Sequence, residues 1–213
     1  KGKSYAALVD EHYYSSPDWF LTNTDRYDRY QRDYVGVFVG EYAAKSNTMI
    51  AALAEAAYLT GLEKNGDVVR LASYAPLFGN DTAIHWQPDL IWFNNASWYP
   101  SVNYYVQQMF AQNVGNQLLQ TEFTYPRNKY YLHGGFGLGT WKTAAKDVNI
   151  SVEGFTPASQ AAVTILASDH LQAANTKTNP TCVTPYDIQV KAGKEFVYHS
   201  PAYSVSVLRL QAD

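Results

Sequence analysis

The sequence is poor in sulfur, with one cysteine and two methionines among 213 residues. A single cysteine, Cys182, cannot form a disulfide within the chain. Because Cys182 also lacks the flanking pattern of a known nucleophile motif, we expect an unreactive or intermolecular thiol. No second histidine or cysteine stands at ligand spacing from His12, so the sequence predicts neither a metal site nor a cofactor.

Long hydrophobic runs and an excess of basic charge are also lacking. The apolar stretches fall short of the ~18 residues that a membrane-spanning helix requires, so we expect no membrane association. Sixteen Lys and Arg residues against 19 Asp and Glu residues, without a basic stripe, argue against a nucleic-acid partner. The 46% hydrophobic content excludes intrinsic disorder. The chain opens without Met or a signal peptide, so we expect a processed, trimmed or incomplete product.

Three acceptor motifs for N-glycosylation are present, at Asn80, Asn95 and Asn149. About 1.7 such motifs would arise by chance in a chain of this composition. The excess is small. Together with the scarcity of cysteine and methionine it favours a secreted, extracellular protein.

The first half of the chain alternates between strand and helix patterns. Short apolar runs predict strands at 5–10, 34–40 and 68–74, and longer runs with helical spacing predict helices at 23–33, 48–62 and 102–114. A strand, a helix and a strand within about 40 residues are typical of a βαβ unit in a parallel sheet. Residues 79–101 predict a long loop rich in aromatic side chains, which suit stacking on sugar rings.

The second half shows short alternating runs that predict an antiparallel β-sandwich, with one helix at 158–163 as an alternative. The fold class is therefore α/β followed by all-β, with the boundary at 117–127 and domains at 1–118 and 119–213. A few β/α units cannot close a barrel. We therefore expect apolar strand faces, such as those with Val35, Val37 and Val39, to be exposed and the isolated chain to be unstable as a monomer.

Three candidate site residues follow predicted strands directly. Glu41 follows the strand at 34–40, and His12 and Tyr14 follow the strand at 5–10. In α/β proteins function collects at the carboxyl ends of strands, where a carboxylate suits a glycosidase nucleophile. The alternatives are that Glu41 caps the next helix or pairs with an arginine, and that His12 is a hydrogen-bonded structural residue. Adjacent strand residues such as Asp10 and Glu11 point to opposite faces, which argues against an acidic pair.

Several motifs, in the same order along the chain, resemble the α-L-arabinofuranosidases of glycoside hydrolase family 51 in their fungal or plant form. The motifs are Asp10-Glu-His-Tyr-Tyr14, Ser16-Pro-Asp-Trp-Phe20, Val37-Phe-Val-Gly-Glu-Tyr-Ala43, Trp86-Gln-Pro-Asp-Leu-Ile-Trp-Phe-Asn94, Tyr104-Tyr-Val-Gln-Gln-Met-Phe110 and Pro201-Ala-Tyr-Ser-Val-Ser-Val-Leu-Arg-Leu210. The resemblance is dense over 5–115, thin over 118–185, and returns at the end of the chain.

The resemblance implies the C-terminal part of a (β/α)₈ catalytic barrel, with strands six to eight, followed by a jelly-roll-like sandwich. It implies an exo-acting hydrolase that releases terminal arabinose from arabinan or arabinoxylan with retention of configuration. Glu41 would be the nucleophile, His12 and Tyr14 would orient it, and Gln107 would bond a sugar hydroxyl.

The family's acid/base glutamate lies in a Gly-Asn-Glu tripeptide, which does not occur in this sequence. The resemblance therefore implies that a second chain, or an N-terminal part of the same enzyme, supplies this residue. A non-catalytic carbohydrate-binding module and a related glycosidase activity of the same family are the alternative functions.

Overall fold

A computed structural model describes residues 7–33, 35–115, 137–139 and 144–213. The predicted domain boundary at 117–127 lies outside the described residues. In chain order the elements are β1 (Leu8–Ser15), α1 (Pro17–Thr22), β2 (Gly36–Ala44), α2 (Met49–Lys64), β3 (Val69–Tyr74), β4 (Phe78–Asn80), β5 (Ile91–Phe93), β6 (Trp98–Pro100), α3 (Val102–Gln112), β7 (Gly137–Gly139), β8 (Lys146–Ser151), β9 (Gln160–Ala167), β10 (Tyr186–Lys191), β11 (Glu195–Ser200) and β12 (Ser204–Arg209).

The first three strands form a parallel sheet in the order β1-β2-β3, as the βαβ pattern predicts. Both β1 and β2 extend beyond the predicted strands, because their polar carboxyl-terminal residues continue the ladder as far as Ser15 and Ala44. The candidate residues His12, Tyr14 and Glu41 therefore lie within strands and not after them.

The predicted helix at 23–33 is wrong. Residues 24–29 form turns, and the spacing of the tyrosines has another cause, since Tyr27 and Tyr30 both donate to the carboxylate of Glu11. A short helix, α1, instead precedes these turns. Its N-cap Ser16 accepts a hydrogen bond from the Trp19 backbone, and Pro17 stands at the first helical position, which proline tolerates well.

Helices cover one face of the parallel sheet. The buried side chains of β2 on this face include Val37, Val39 and Tyr42, and Phe20 of α1 and Tyr58 of α2 pack against Tyr42. The expectation that Val37 and Val39 are exposed is therefore wrong, because the helices already bury them. The large apolar side chains of this sheet that are exposed are Leu8, Val9 and Leu71.

The predicted aromatic loop contains a small sheet. Strands β4 and β5 pair in parallel, and β5 pairs with β6 as a hairpin. Each strand has three residues, which is too short for an alternating pattern to be recognised in sequence.

Two antiparallel sheets form the second half, with strand orders β10-β9-β12-β7 and β11-β8. They pack through a core of Val163, Ile165, Tyr198 and Leu208, which confirms a sandwich of antiparallel sheets. A helix at 158–163 is wrong, since residues 160–163 belong to β9, where buried side chains alternate. The jelly-roll-like connectivity stays a prediction.

The start of α2 is held by the second half of the chain. Its N-cap Thr48 makes no side-chain capping bond, and the backbone N–H groups of Met49 and Ile50 donate to the carbonyls of Ala173 and Leu171 at 2.8 and 2.9 Å. These bonds satisfy donors that a helix N-terminus otherwise leaves unpaired. Leu166 also belongs to the same buried core as α2, so the two halves share a core.

Candidate active site

A β-bulge positions Glu41. In the β1–β2 ladder Glu11 pairs with Val39 and His12 with Glu41, which leaves Gly40 as an extra residue. Such a bulge re-aims the side chains that follow it. Tyr42 therefore points to the helix-covered face of the sheet, and Glu41 extends from the opposite face.

The predicted residues His12, Tyr14 and Glu41 lie together. The Tyr14 hydroxyl donates to Glu41 Oε2 at 2.7 Å, and Nδ1 of His12 lies 3.6 Å from the same oxygen. The Glu41 side chain is 44% exposed, so a substrate can reach it in this chain. The carboxylate neither caps a helix nor pairs with an arginine in the bonds of the described residues, contrary to the structural alternative.

Tyr14 is a hydrogen-bond donor at neutral pH. Burial raises its pKa to about 12, and the hydrogen bond to Glu41 adds to this shift. Because the phenol stays protonated, its hydroxyl can only donate to a carboxylate, which fixes the direction of this bond.

Asp10 is a site residue that the sequence did not predict. Its Oδ2 lies 3.1 Å from Nε2 of His12, on the other side of the ring from Glu41. The signal was the spacing of two residues, because side chains at i and i+2 of a strand share a face. Glu11 lies on the opposite face, as predicted, where it accepts from Tyr27 and Tyr30.

The aromatic residues of 85–99 separate into three environments. Trp86 is 47% exposed and packs edge-on against Tyr14, with ring centroids 5.4 Å apart. Trp92 is buried and its indole N–H donates to Asn47 at 3.2 Å. Phe93 and Trp98 line an open cavity of about 620 Å³ on the small sheet, together with Phe78, Ile91 and Tyr104. Trp86 thus contacts the tyrosine that donates to Glu41.

Gln107 is not brought together with the other candidates. Its Oε1 accepts from the Tyr42 hydroxyl at 2.6 Å, and Tyr42 points away from Glu41. Gln107 therefore lies on the helix-covered side of β2. Its predicted contact with a sugar hydroxyl stays a prediction that this position does not support.

A buried carboxyl group lies behind the site. Glu55 of α2 is fully buried, and its Oε1 accepts from the backbone N–H of Ala44, at the end of β2, at 2.8 Å. Burial raises the pKa of this carboxyl to about 8, while the amides of Asn103 and Gln107 and the Ala44 N–H lower it. Neither amide meets the carboxyl in normal hydrogen-bond geometry among the described residues. The available signal was that Glu55 is the one charged residue in the largely apolar stretch 49–62.

A family model for the C-terminal domain of α-L-arabinofuranosidases matches residues 27–204, which include Glu41 and both halves of the described fold. The chain belongs to the α-L-arabinofuranosidase family. An extracellular exo-α-L-arabinofuranosidase of Streptomyces chartreusis is 50% identical over 147 residues, 68% of this chain and 18% of the relative. The α-L-arabinofuranosidase 1 of Arabidopsis thaliana is 33% identical over 214 residues, 89% of this chain and 31% of the relative.

A solved structure supports the same assignment. An arabinose-bound α-L-arabinofuranosidase of family 51 superposes with a TM-score of 0.85 at 30% identity, over 97% of this chain and 37% of the other. The chain thus spans about a third or less of the length of the curated relatives described above.

The remaining predictions concern the surface. Asn80 Oδ1 accepts from both the backbone N–H and the hydroxyl of Thr82, while Asn95 and Asn149 are exposed. Cys182 is exposed and unpaired. The described residues contain no cluster of side chains that could hold a metal ion. Among the helices described, the longest has 16 residues, and none is long and apolar enough to span a membrane.

Proposed function

We propose that this chain is the C-terminal portion of a retaining exo-glycoside hydrolase that releases terminal α-L-arabinofuranosyl residues from arabinan- or arabinoxylan-type polysaccharides. The arrangement that carries the proposal is the carboxylate of Glu41, supported at one oxygen by Tyr14 and His12. The names of the relatives, one of them an exo-acting enzyme, support the substrate class.

In the first step Glu41 attacks the anomeric carbon of the arabinosyl residue. Tyr14 and His12 both face Oε2, so Oε1 is the attacking oxygen. A new C–O bond forms as the glycosidic C–O bond breaks, and the departing oxygen takes a proton from a carboxylic acid about 5–5.5 Å from Glu41. The product of this step is a covalent arabinosyl-enzyme.

In the second step water attacks the same carbon and the bond to Glu41 breaks, which regenerates its carboxylate. The former acid, now a carboxylate, takes the proton of the water. This acid/base residue comes from the N-terminal part of the enzyme or from a second chain. The absence of a Gly-Asn-Glu tripeptide from this sequence supports that division.

The parallel strands β1, β2 and β3 are proposed to be strands six to eight of a (β/α)₈ barrel within domain 1–118, followed by the sandwich domain 119–213. The exposed apolar side chains of Leu8, Val9 and Leu71 support a missing covering part. The extracellular Streptomyces relative and the three glycosylation motifs support a secreted protein.

Replacement of Glu41 by Gln in the complete enzyme tests the nucleophile. This change removes the attacking charge but keeps the size of the side chain, so kcat should fall by several orders of magnitude. A slow 2-fluoro-arabinofuranoside should label wild-type enzyme on the peptide that contains residues 39–43. Glu153→Gln, on an exposed residue of the second half, is the matched control and should keep full activity.

Label on another carboxylate of this chain, or a loss of less than about tenfold in the Glu41→Gln variant, would overturn the assignment. A complete protein that binds arabinose-containing polymer without hydrolysing it would favour the carbohydrate-binding alternative. Faster hydrolysis of another glycoside would favour a related activity.

A further inference from the structure

We propose that Asp10 is a positioning residue of the hydrolysis, which acts on Glu41 through the imidazole of His12. The inference rests on the proposed role of Glu41 as nucleophile. Asp10 and His12 stand two residues apart on β1 and therefore share the face from which Glu41 extends.

The imidazole of His12 lies between two carboxylates. Its Nε2 is 3.1 Å from Asp10 Oδ2 and its Nδ1 is 3.6 Å from Glu41 Oε2. A neutral imidazole carries one N–H, so only the protonated ring can donate to both carboxylates. By accepting at Nε2, Asp10 fixes the plane of the ring and makes this nitrogen a donor, which turns Nδ1 toward the nucleophile.

The bulge in β2 leaves room for the Asp10 carboxylate. A Cβ atom at Gly40 would lie 2.1 Å from Asp10 Oδ1, which no side chain could tolerate without displacing this carboxylate. Gly40, the bulge residue that re-aims Glu41, is thus also the residue over which the Asp10 carboxylate lies. Asp10, the bulge and His12 form one support for the nucleophile.

The support matters most in the second step. When the bond to the sugar breaks, negative charge returns to Glu41, and a correctly oriented donor at Oε2 stabilises this charge. The fixed ring also restricts the carboxylate to the orientation needed for attack. Without Asp10 the imidazole of His12 loses its hydrogen-bond partner at Nε2, although His12 keeps its place in β1.

A double-mutant cycle in the complete enzyme tests this inference. Asp10→Asn keeps the size of the side chain but removes its charge, and should lower kcat about ten- to a hundredfold with KM within about threefold. In a His12→Ala background the same substitution should change kcat by less than about threefold, because residues that act as a unit are not additive. Asp33→Asn, on an exposed turn, is the matched control.

Chemical rescue gives a readout that a purely structural role would not move. Formate added to the Asp10→Ala variant should raise its kcat several-fold, because formate can occupy the vacated carboxylate position. Chloride at equal ionic strength should leave kcat unchanged. Asp10→Asn activity within twofold of wild type, or effects of Asp10 and His12 substitutions that multiply, would overturn the inference. An active Glu41→Gln enzyme would instead overturn the proposed function itself.

Discussion

The two oxygens of the Glu41 carboxylate have different surroundings. Oε2 accepts from Tyr14 and faces His12, whereas Oε1 has neither contact. A hydrogen bond to a charged group contributes about 1.5–3 kcal/mol, so Tyr14 is a substantial partner of this carboxylate. Its raised pKa keeps it a donor throughout the neutral range.

Tyr14→Phe in the complete enzyme should slow the second step more than the first. The lost donor no longer stabilises Glu41 as it departs from the sugar, and about 10- to 100-fold in rate corresponds to such a bond. With an activated aryl arabinofuranoside, kcat should fall and KM should fall with it, because the covalent intermediate accumulates.

The measurement is steady-state kinetics combined with a pre-steady-state burst of the aryl product. Tyr186→Phe removes a hydroxyl from an exposed tyrosine of β10 and is the matched control, with unchanged constants. If Tyr14→Phe raised KM while kcat stayed the same, the hydroxyl would bind substrate and not assist the nucleophile.

Single residues were predictable where a motif and a strand end coincided. Glu41, His12 and Tyr14 stand in such motifs, and the structure brings them together. Asp10 was missed because only its relation to its neighbour Glu11 was considered. Gln107 was assigned by resemblance alone, and its environment depends on how α3 packs against Tyr42, which no local pattern encodes.

Elements with long, regular patterns were also predictable. Helix α2 lies within two residues of its prediction at either end, because an Ala- and Leu-rich run without proline has one stable structure. The short α1 and the three-residue strands of the small sheet were missed, since few residues carry their signal. The prediction ended β2 at Gly40, whereas the strand continues to Ala44. The bulge at Gly40 allows the polar residue Glu41 to continue an apolar strand.

Glu55 makes the stability of the α2–β2 contact depend on pH. Its pKa is about 8 in the folded state against 4.5 for an ordinary glutamate. Between these values the unfolded chain binds fewer protons, so stability falls as pH rises through this window. Glu55→Gln, which does not titrate, should therefore gain stability relative to wild type by up to about 1.4 kcal/mol per pH unit from about pH 4.5 to 8.

Urea unfolding of both proteins at several pH values, followed by circular dichroism, measures this difference. Glu153→Gln at an exposed position should show a difference that does not change with pH. If the difference in unfolding free energy between Glu55→Gln and wild type were also independent of pH, Glu55 would be ionised in the folded protein.

The whole molecule is organised around a core that both halves share. In β9, Leu166 faces the core that contains α2, whereas its neighbour Ile165 faces the core between the two sandwich sheets. Leu166→Ala in the complete enzyme should therefore lower hydrogen-exchange protection in peptides of α2, although the residue lies more than 100 positions away in sequence.

Hydrogen exchange with peptide mapping measures this effect. Ile165→Ala removes a similar volume one residue away and should lower the free energy of unfolding by about 2–5 kcal/mol. It should lower the hydrogen-exchange protection of β11 and β12 more than that of α2. Equal protection of α2 in both variants would mean that the halves unfold independently.

Because the carbonyls of Leu171 and Ala173 hold the start of α2, the second half of the chain fixes the helix that follows β2. Helix α2 follows the strand that carries Glu41 and, through Glu55, binds the end of that strand. A chimera of related enzymes would thus have to inherit residues 36–64 and 171–174 from the same parent. The sandwich therefore helps to place the strand that carries Glu41, and recombination could not exchange it freely.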